Sequence, residues 1–142
     1  AIAEKFNNGI EFFNTYGGNP VSMATGAAVL KTIQDEALQE NALNVGKVLL
    51  NSLQALMAKH TIIGDVRGEG LFIGVELVKD RITKEPLGKE INHIVEALKN
   101  KGFLISTDGP YNNVLKIKPP IVFTEKNAID FSNALDEVLL MS

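Results

Sequence analysis

"LFIGVELV", residues 71–78, decides the fold. Leu71, Ile73, Val75 and Leu77 point one way, and Phe72, Gly74, Glu76 and Val78 point the other. A period of two is that of a strand with one face on a core. The pattern changes here, because the preceding segment runs at helical spacing. Leu38, Ala42, Val45, Leu49, Leu53 and Leu56 recur at three- and four-residue steps, which predicts a helix over about residues 38–58 with one apolar stripe. A shorter strand over 62–66 is expected between the two, and the polar "KDRITKEPLGK" that follows reads as a loop.

Further along the chain the two periods alternate. Ile91, Ile94, Val95 and Leu98 predict a helix over about 88–100, which Gly102 ends. "FLIS" (103–106) and "NVLKIK" (113–118) read as strands separated by the turn "TDGPYNN". Pro119 and Pro120 close the last strand, and Thr124 caps a final helix carrying Ala128, Phe131, Leu135 and Val138. Toward the N-terminus, Asn19 and Pro20 are a good cap and first residue for a helix over about 20–36. That helix is rich in small residues (Ser22, Ala24, Thr25, Gly26, Ala27, Ala28), which suits close approach to a second element or a second subunit. Residues 2–8 read as a helix remnant stopped by Gly9, and "IEFF" as a strand or extended segment. Neighbouring strands joined by short turns predict an α+β layer: an antiparallel sheet of three to four strands with helices on one face.

Composition narrows the class of function. The chain has 142 residues, a formal net charge of -3 and no cysteine. Disulfides and thiolate metal sites are excluded, and nothing in the charge favours nucleic acid or an anionic membrane as a partner. No apolar run approaches the roughly 20 residues of a membrane span, and no signal-peptide core opens the chain. A cytoplasmic location fits. The opening "AIAEKFNNG" lacks an initiator Met and reads like a helix cut in the middle, so a piece of a longer protein is expected.

Four stretches carry candidate chemistry. "RGEGLFIG" (67–74) is glycine-rich, but its glycines lead into a strand rather than a helix, and their spacing is not that of a phosphate-cradling loop. Tight turns or close backbone packing explain Gly64, Gly68 and Gly70 better. Arg67 beside them reads as a buried ion-pair partner or a carboxylate binder; the pattern favours the structural role, and Arg67 is assigned no site role. His60 and His93 are the only histidines and have no metal-ligand spacing, so no metal is expected. In "NVLKIKPP", Val114, Lys116 and Lys118 share a face opposite Leu115 and Ile117. Two lysines there form either a solvated face or part of a cationic pocket for an anionic substrate. The fourth stretch, "TYGGNP" (15–20), places Gly17, Gly18 and a helix N-terminus behind the hydroxyl of Thr15. It reads equally as a capped turn and as an anion site.

"FFNTYGGNPVSMATGAAVL" (12–30), "IGDVRGEGLFIGVELVKD" (63–80) and "NVLKIKPPIVFTE" (113–125) resemble, in order and spacing, the C-terminal part of class III (ornithine/GABA type) pyridoxal-phosphate aminotransferases. "DGPYNNVLKIKPP" is most similar to the branch of ethanolamine-phosphate and phosphohydroxylysine phospho-lyases. The resemblance implies a fold-type I enzyme, a homodimer or a tetramer of dimers, acting on small amines, amino acids or phospho-amines. It implies that residues 1–36 flank from the large cofactor domain and that 37–142 form the small C-terminal domain. Thr15 then stands where a threonine reaches the cofactor phosphate of the neighbouring subunit. Lys116 stands where many relatives carry a carboxylate-binding Arg. A lysine cannot make the bidentate fork, which fits the phospho-lyase branch. The Schiff-base lysine and the Asp that pairs with the pyridinium nitrogen lie upstream of this chain in the family, so no catalytic residue is expected here and the chain alone is expected to be inert. The alternative from another class is a domain of this fold that has lost catalysis and serves interaction or regulation. Within the enzyme class, the alternative to phosphate elimination is ordinary transamination.

Overall fold

A computed structural model describes residues 1–141. The chain divides into two units, Ala1–Glu36 and the remainder from Ala37 onward. The first holds α1 (Ile2–Phe6) and α2 (Pro20–Asp35), joined by a segment without strand. "IEFF" therefore forms no strand; with no second extended segment in this unit there is no ladder for it to join. Helix α2 starts as its sequence dictates: the Asn19 side chain accepts hydrogen bonds from the Val21 and Ser22 amides at 3.0 and 3.1 Å, with Pro20 in the first turn. No residue of α2 is buried, and a Cβ built on Gly26 meets nothing within 4 Å.

The second unit runs α3 (Leu38–Lys59), β1 (Ile63–Glu69), β2 (Phe72–Asp80), β3 (Glu85–Pro86), a 3₁₀ turn (Gly88–Glu90), α4 (Ile91–Asn100), β4 (Ser106–Asp108), β5 (Val114–Ile117) and α5 (Glu125–Leu140). The sheet is antiparallel throughout, in the order β1-β2-β5-β4, with β3 paired to β2. Ile63, Val66, Ile73, Val75, Leu77, Leu115 and Ile117 form its buried face. They share one core with Val45, Leu49 and Leu53 of α3, Ile91, Ile94 and Leu98 of α4, and Phe131, Leu135 and Val138 of α5. The expected antiparallel α+β layer is the one observed, with five strands rather than three to four because the two-residue β3 adds to β2, and the apolar stripes of all three helices face this core.

The ends of the helices are fixed by side chains. At α5, Thr124 Oγ1 accepts from the Asn127 amide while Asn127 Oδ1 accepts from the Thr124 amide, a reciprocal cap. At the C-terminus of α3, the Arg81 guanidinium donates to the carbonyls of Met57, His60 and Ile63. It satisfies acceptors that a helix end leaves open and ties them to the exit of β2. Nothing in the sequence pattern singled out Arg81 for this.

Three of the expected strands change. "FLIS" is not a strand; β4 begins at Ser106, with Ser106, Thr107 and Asp108 opposite Lys116, Leu115 and Val114. Strand β5 stops at Ile117, just ahead of Pro119 and Pro120, whose nitrogens carry no hydrogen to extend a ladder. Residues 103–105 instead leave α4 through the Phe103 amide, bonded to the Leu98 carbonyl at 2.9 Å, and the Phe103 ring packs edge-on to Phe131 at 5.4 Å. Strand β1 is longer than expected and runs on to Glu69 because Arg67, Gly68 and Glu69 pair with Gly74, Ile73 and Phe72. Val78, which alternation sets on the face opposite Leu77, is buried as well: the register shifts beside it and β3, inside the expected polar loop, pairs against it.

An ion-paired knot joins α3 to α5. Asp136 Oδ2 is 2.6 Å from Lys59 Nζ, and Oδ1 is 2.5 Å from Nε2 of the buried His60, which must be the donor to a carboxylate. Lys59 first and His60 second hold the Asp136 carboxyl below the usual carboxylate range. A carboxyl depressed on folding stabilises above its unfolded pKa, and that stability is lost as pH falls through the folded value. Below about pH 4 denaturant titrations should therefore show stability falling. Asp136→Asn should be less stable at neutral pH, and the gap should narrow as the solution is acidified. A gap of constant size across that window would show that Asp136 contributes by packing alone.

Candidate functional site

The open face of the sheet is organised by its register. Paired residues share a face, so Arg67, Gly74, Lys116 and Ser106 form one row, and Asp65, Glu76, Val114 and Asp108 the next. Arg67 is exposed, not buried, and its Nη1 lies 2.5 Å from Asp65 and 2.7 Å from Glu76. Those two carboxylates raise its pKa and neutralise it, so Arg67 is a structural cross-strand pair. Gly68 is glycine because a Cβ there would stand 2.4 Å from the Phe72 carbonyl oxygen across the hairpin. The "RGEG" stretch is thus a tight hairpin approach, not a phosphate loop.

Lys116 is half-buried on this face. It lines a cleft of about 600 Å³ with Gly102–Ser106 at one side and Ile117–Pro120, Phe123 and Phe131 at the other. Lys118 lines the same cleft but lies over the Phe72 ring, 5.3 Å from its centroid. Lys116 Nζ is 2.7 Å from Asp108 Oδ2. The other oxygen of Asp108 accepts the Gly109 amide of its own turn at 2.8 Å, where Gly109 takes φ +87°. Lys116 first, then this amide, hold the Asp108 carboxyl below the ordinary range. Asp108 escaped the sequence reading. The signal for it lay in the hairpin "TDGPYNNVLK", whose pairing puts Asp108 diagonally across from Lys116.

Thr15 sits in an exposed turn. Asn14 Oδ1 accepts the Tyr16 and Gly17 amides at 3.0 and 3.1 Å, and Gly18 takes φ +78°. With Asn19 occupying the Val21 and Ser22 amides, the N-terminus of α2 is closed by its own cap. The Thr15 hydroxyl makes no hydrogen bond among the described residues. Of the two sequence readings, the capped turn describes the helix end, and Thr15 is left as a single available hydroxyl. Its turn and the cleft around Lys116 belong to different units.

Among the described residues no group of three His, Cys, Asp or Glu could hold a metal ion, and no helix is long and apolar enough to cross a membrane. His60 serves the α3–α5 knot and His93 lies exposed on α4. No lysine is buried, and Lys101 and Lys116 are partly shielded, with side chains 32% and 36% exposed.

The class-III aminotransferase family model matches residues 1–139. The chain is 46% identical over 141 residues to an ethanolamine-phosphate phospho-lyase homolog of Caenorhabditis elegans, covering 99% of this chain and 30% of that protein. Among solved structures it is similar to a phospholyase from Arthrobacter in complex with phosphoethanolamine, with a TM-score of 0.88, 34% identity, and 99% of this chain and 33% of that one covered. It is similar also to an amine transaminase from an uncultivated Pseudomonas species in the PLP-bound form, with a TM-score of 0.79 and 32% identity over 93% of this chain and 30% of that one. The chain thus spans about a third of the length of these relatives, and it belongs to the class III aminotransferases.

Proposed function

We propose that this chain is the C-terminal portion of a pyridoxal-phosphate enzyme that eliminates phosphate from a phospho-amine. Residues 1–36 would be a flank of the large domain and 37–142 the small domain. The observation that carries this reading is Lys116, a partly shielded ammonium lining a cleft. A compact point charge suits a phosphate, whereas a carboxylate clamp favours a forked guanidinium. The phospholyase similarity, in a structure holding phosphoethanolamine, supports it. The cytoplasm is the location we propose, since a cysteine-free chain makes no demand for an oxidising compartment.

Pyridoxal phosphate, when bound, supplies an electron sink for the carbon that carries the substrate amine. The residues present fit it in one respect: Thr15 offers a free, exposed hydroxyl that would donate to a phosphate oxygen, across the interface of a homodimer or a tetramer of dimers. Lys116 would hold the substrate's anionic group and so orient the amine end away from itself. In an elimination, the carbon–oxygen bond to phosphate breaks and the phosphate leaves as an anion. A fixed ammonium beside it stabilises charge that grows on the leaving oxygen.

The test is an assay of the full-length enzyme that contains this chain. With phosphoethanolamine and water it should yield inorganic phosphate, ammonia and acetaldehyde, with no keto acid required. Amino transfer dependent on a keto acid, with no phosphate released from any phospho-amine, would overturn the lyase reading in favour of transamination.

A further inference from the structure

We infer that Asp108 is a specificity-determining residue: it is the built-in competitor for Lys116, so that an anionic substrate group gains the lysine only by exchanging with a carboxylate already there. This rests on the reading of Lys116 as the substrate's anion contact.

The geometry carries it in three steps. Lys116 lines the cleft and Asp108, 2.7 Å from its Nζ, does not, so the carboxylate holds the lysine without itself lining the space a ligand would enter. Asp108 is fixed from behind: Oδ1 is held by the Gly109 amide at the start of the turn, while Oδ2 faces Nζ at 2.7 Å. The neighbouring cation is committed elsewhere, since Lys118 lies over Phe72. The pair presented to the cleft is therefore close to neutral. A substrate without an anionic group meets no unpaired charge there, because a lysine left without a partner on desolvation would be costly. A substrate with a phosphate finds N–H groups of Nζ that the single Asp108 oxygen leaves free, and must outweigh the carboxylate's repulsion. Asp108 therefore lowers affinity for anionic amines and widens the range of amines accepted. Both side chains are solvent-accessible, at 36% and 58% exposure, so the effect is that of a screened pair.

The test uses the full-length holoenzyme, with dissociation constants for phosphoethanolamine and for propylamine read by stopped flow from the fast change in cofactor absorbance that precedes turnover. The quantity of interest is the ratio of the two. Asp108→Asn should lower that ratio about fivefold in favour of phosphoethanolamine, equivalent to about 1 kcal/mol. Asp108→Glu, which keeps the charge, should hold the ratio within about twofold. Lys116→Met should raise it about tenfold, and Asp108→Asn added to Lys116→Met should lower the ratio from that raised value by relieving the carboxylate's repulsion, without restoring the wild-type ratio. A role for Asp108 in holding the turn alone would move the melting temperature and leave the ratio where it was, which overturns the proposal. So would an Asp108→Asn ratio that rises, because Asp108 would then be helping the anion to bind. If Lys116→Met itself leaves the ratio unchanged, it is the assignment of Lys116 that fails.

Discussion

Replacing Gly46 by alanine lowers the stability of this chain by about 3 kcal/mol, whereas the same replacement at Gly26 raises it by up to about 1 kcal/mol. Both glycines lie in the interior of long helices, and alanine is the better helix former at each by the same intrinsic amount. The tertiary setting reverses the sign. A Cβ on Gly46 would stand 2.2 Å from the carbonyl oxygen, 2.4 Å from the carbonyl carbon and 2.7 Å from the Cα of Gly70. All three are backbone, so no rotamer change relieves them. Nor can the backbone at Gly70 turn easily, since it holds φ +53° at the tight link between β1 and β2. Either α3 lifts from the hairpin, exposing Val45 and Leu49, or the hairpin distorts. Around Gly26 there is nothing within 4 Å, and only the entropy of the unfolded chain changes. Urea titration of the three proteins decides the matter. A Gly46→Ala protein as stable as the wild type would mean that α3 does not lie against Gly70.

Gly46 also marks where reading the sequence stops. The stripe from Leu38 to Leu56 predicted α3 and the alternation of 71–78 predicted β2, because each pattern is imposed by a single buried face. Thr124 and Asn19 predicted helix starts, because a cap is chemistry within four residues. Gly46 breaks no periodicity and precedes no turn; its necessity comes from Gly70, 24 residues away, and no local pattern contains that. The same holds for Arg81, whose three carbonyl partners lie on α3 and at the start of β1. Phe103 and Ile105 have strand chemistry, but Pro119 leaves no ladder for them, so β4 starts later than the apolar run does. The site divides in the same way. The side on which Lys116 falls follows from strand alternation. Its carboxylate partner follows from hairpin register, which parity alone does not give. Thr15 was legible as a hydroxyl in a turn, while the closing of the helix end by Asn19 depends on which amides the cap reaches.

Titrating the 142-residue chain with pyridoxal phosphate produces no saturable, stoichiometric absorbance band of the kind that a single cofactor-bonded lysine gives. A lysine acts as such a nucleophile when desolvation or a neighbouring cation favours its neutral amine. No lysine here is buried, and most of them are ion-paired. Lys31, Lys59, Lys79, Lys99, Lys101 and Lys126 are each paired with a carboxylate at the surface. Lys116, the partly shielded lysine of the cleft, is paired with Asp108 as well. Lys118 is exposed and lies over a ring face that favours a cation. Surface lysines will still react weakly with the aldehyde, giving a band that grows with cofactor and never saturates at one equivalent. Borohydride trapping followed by peptide mapping separates the two cases: label scattered over several lysines fits this setting, and stoichiometric label on one does not. If that one were Lys116, the cleft would be a cofactor site rather than a substrate site, and Asp108 would then have to leave the ammonium for the amine to become free.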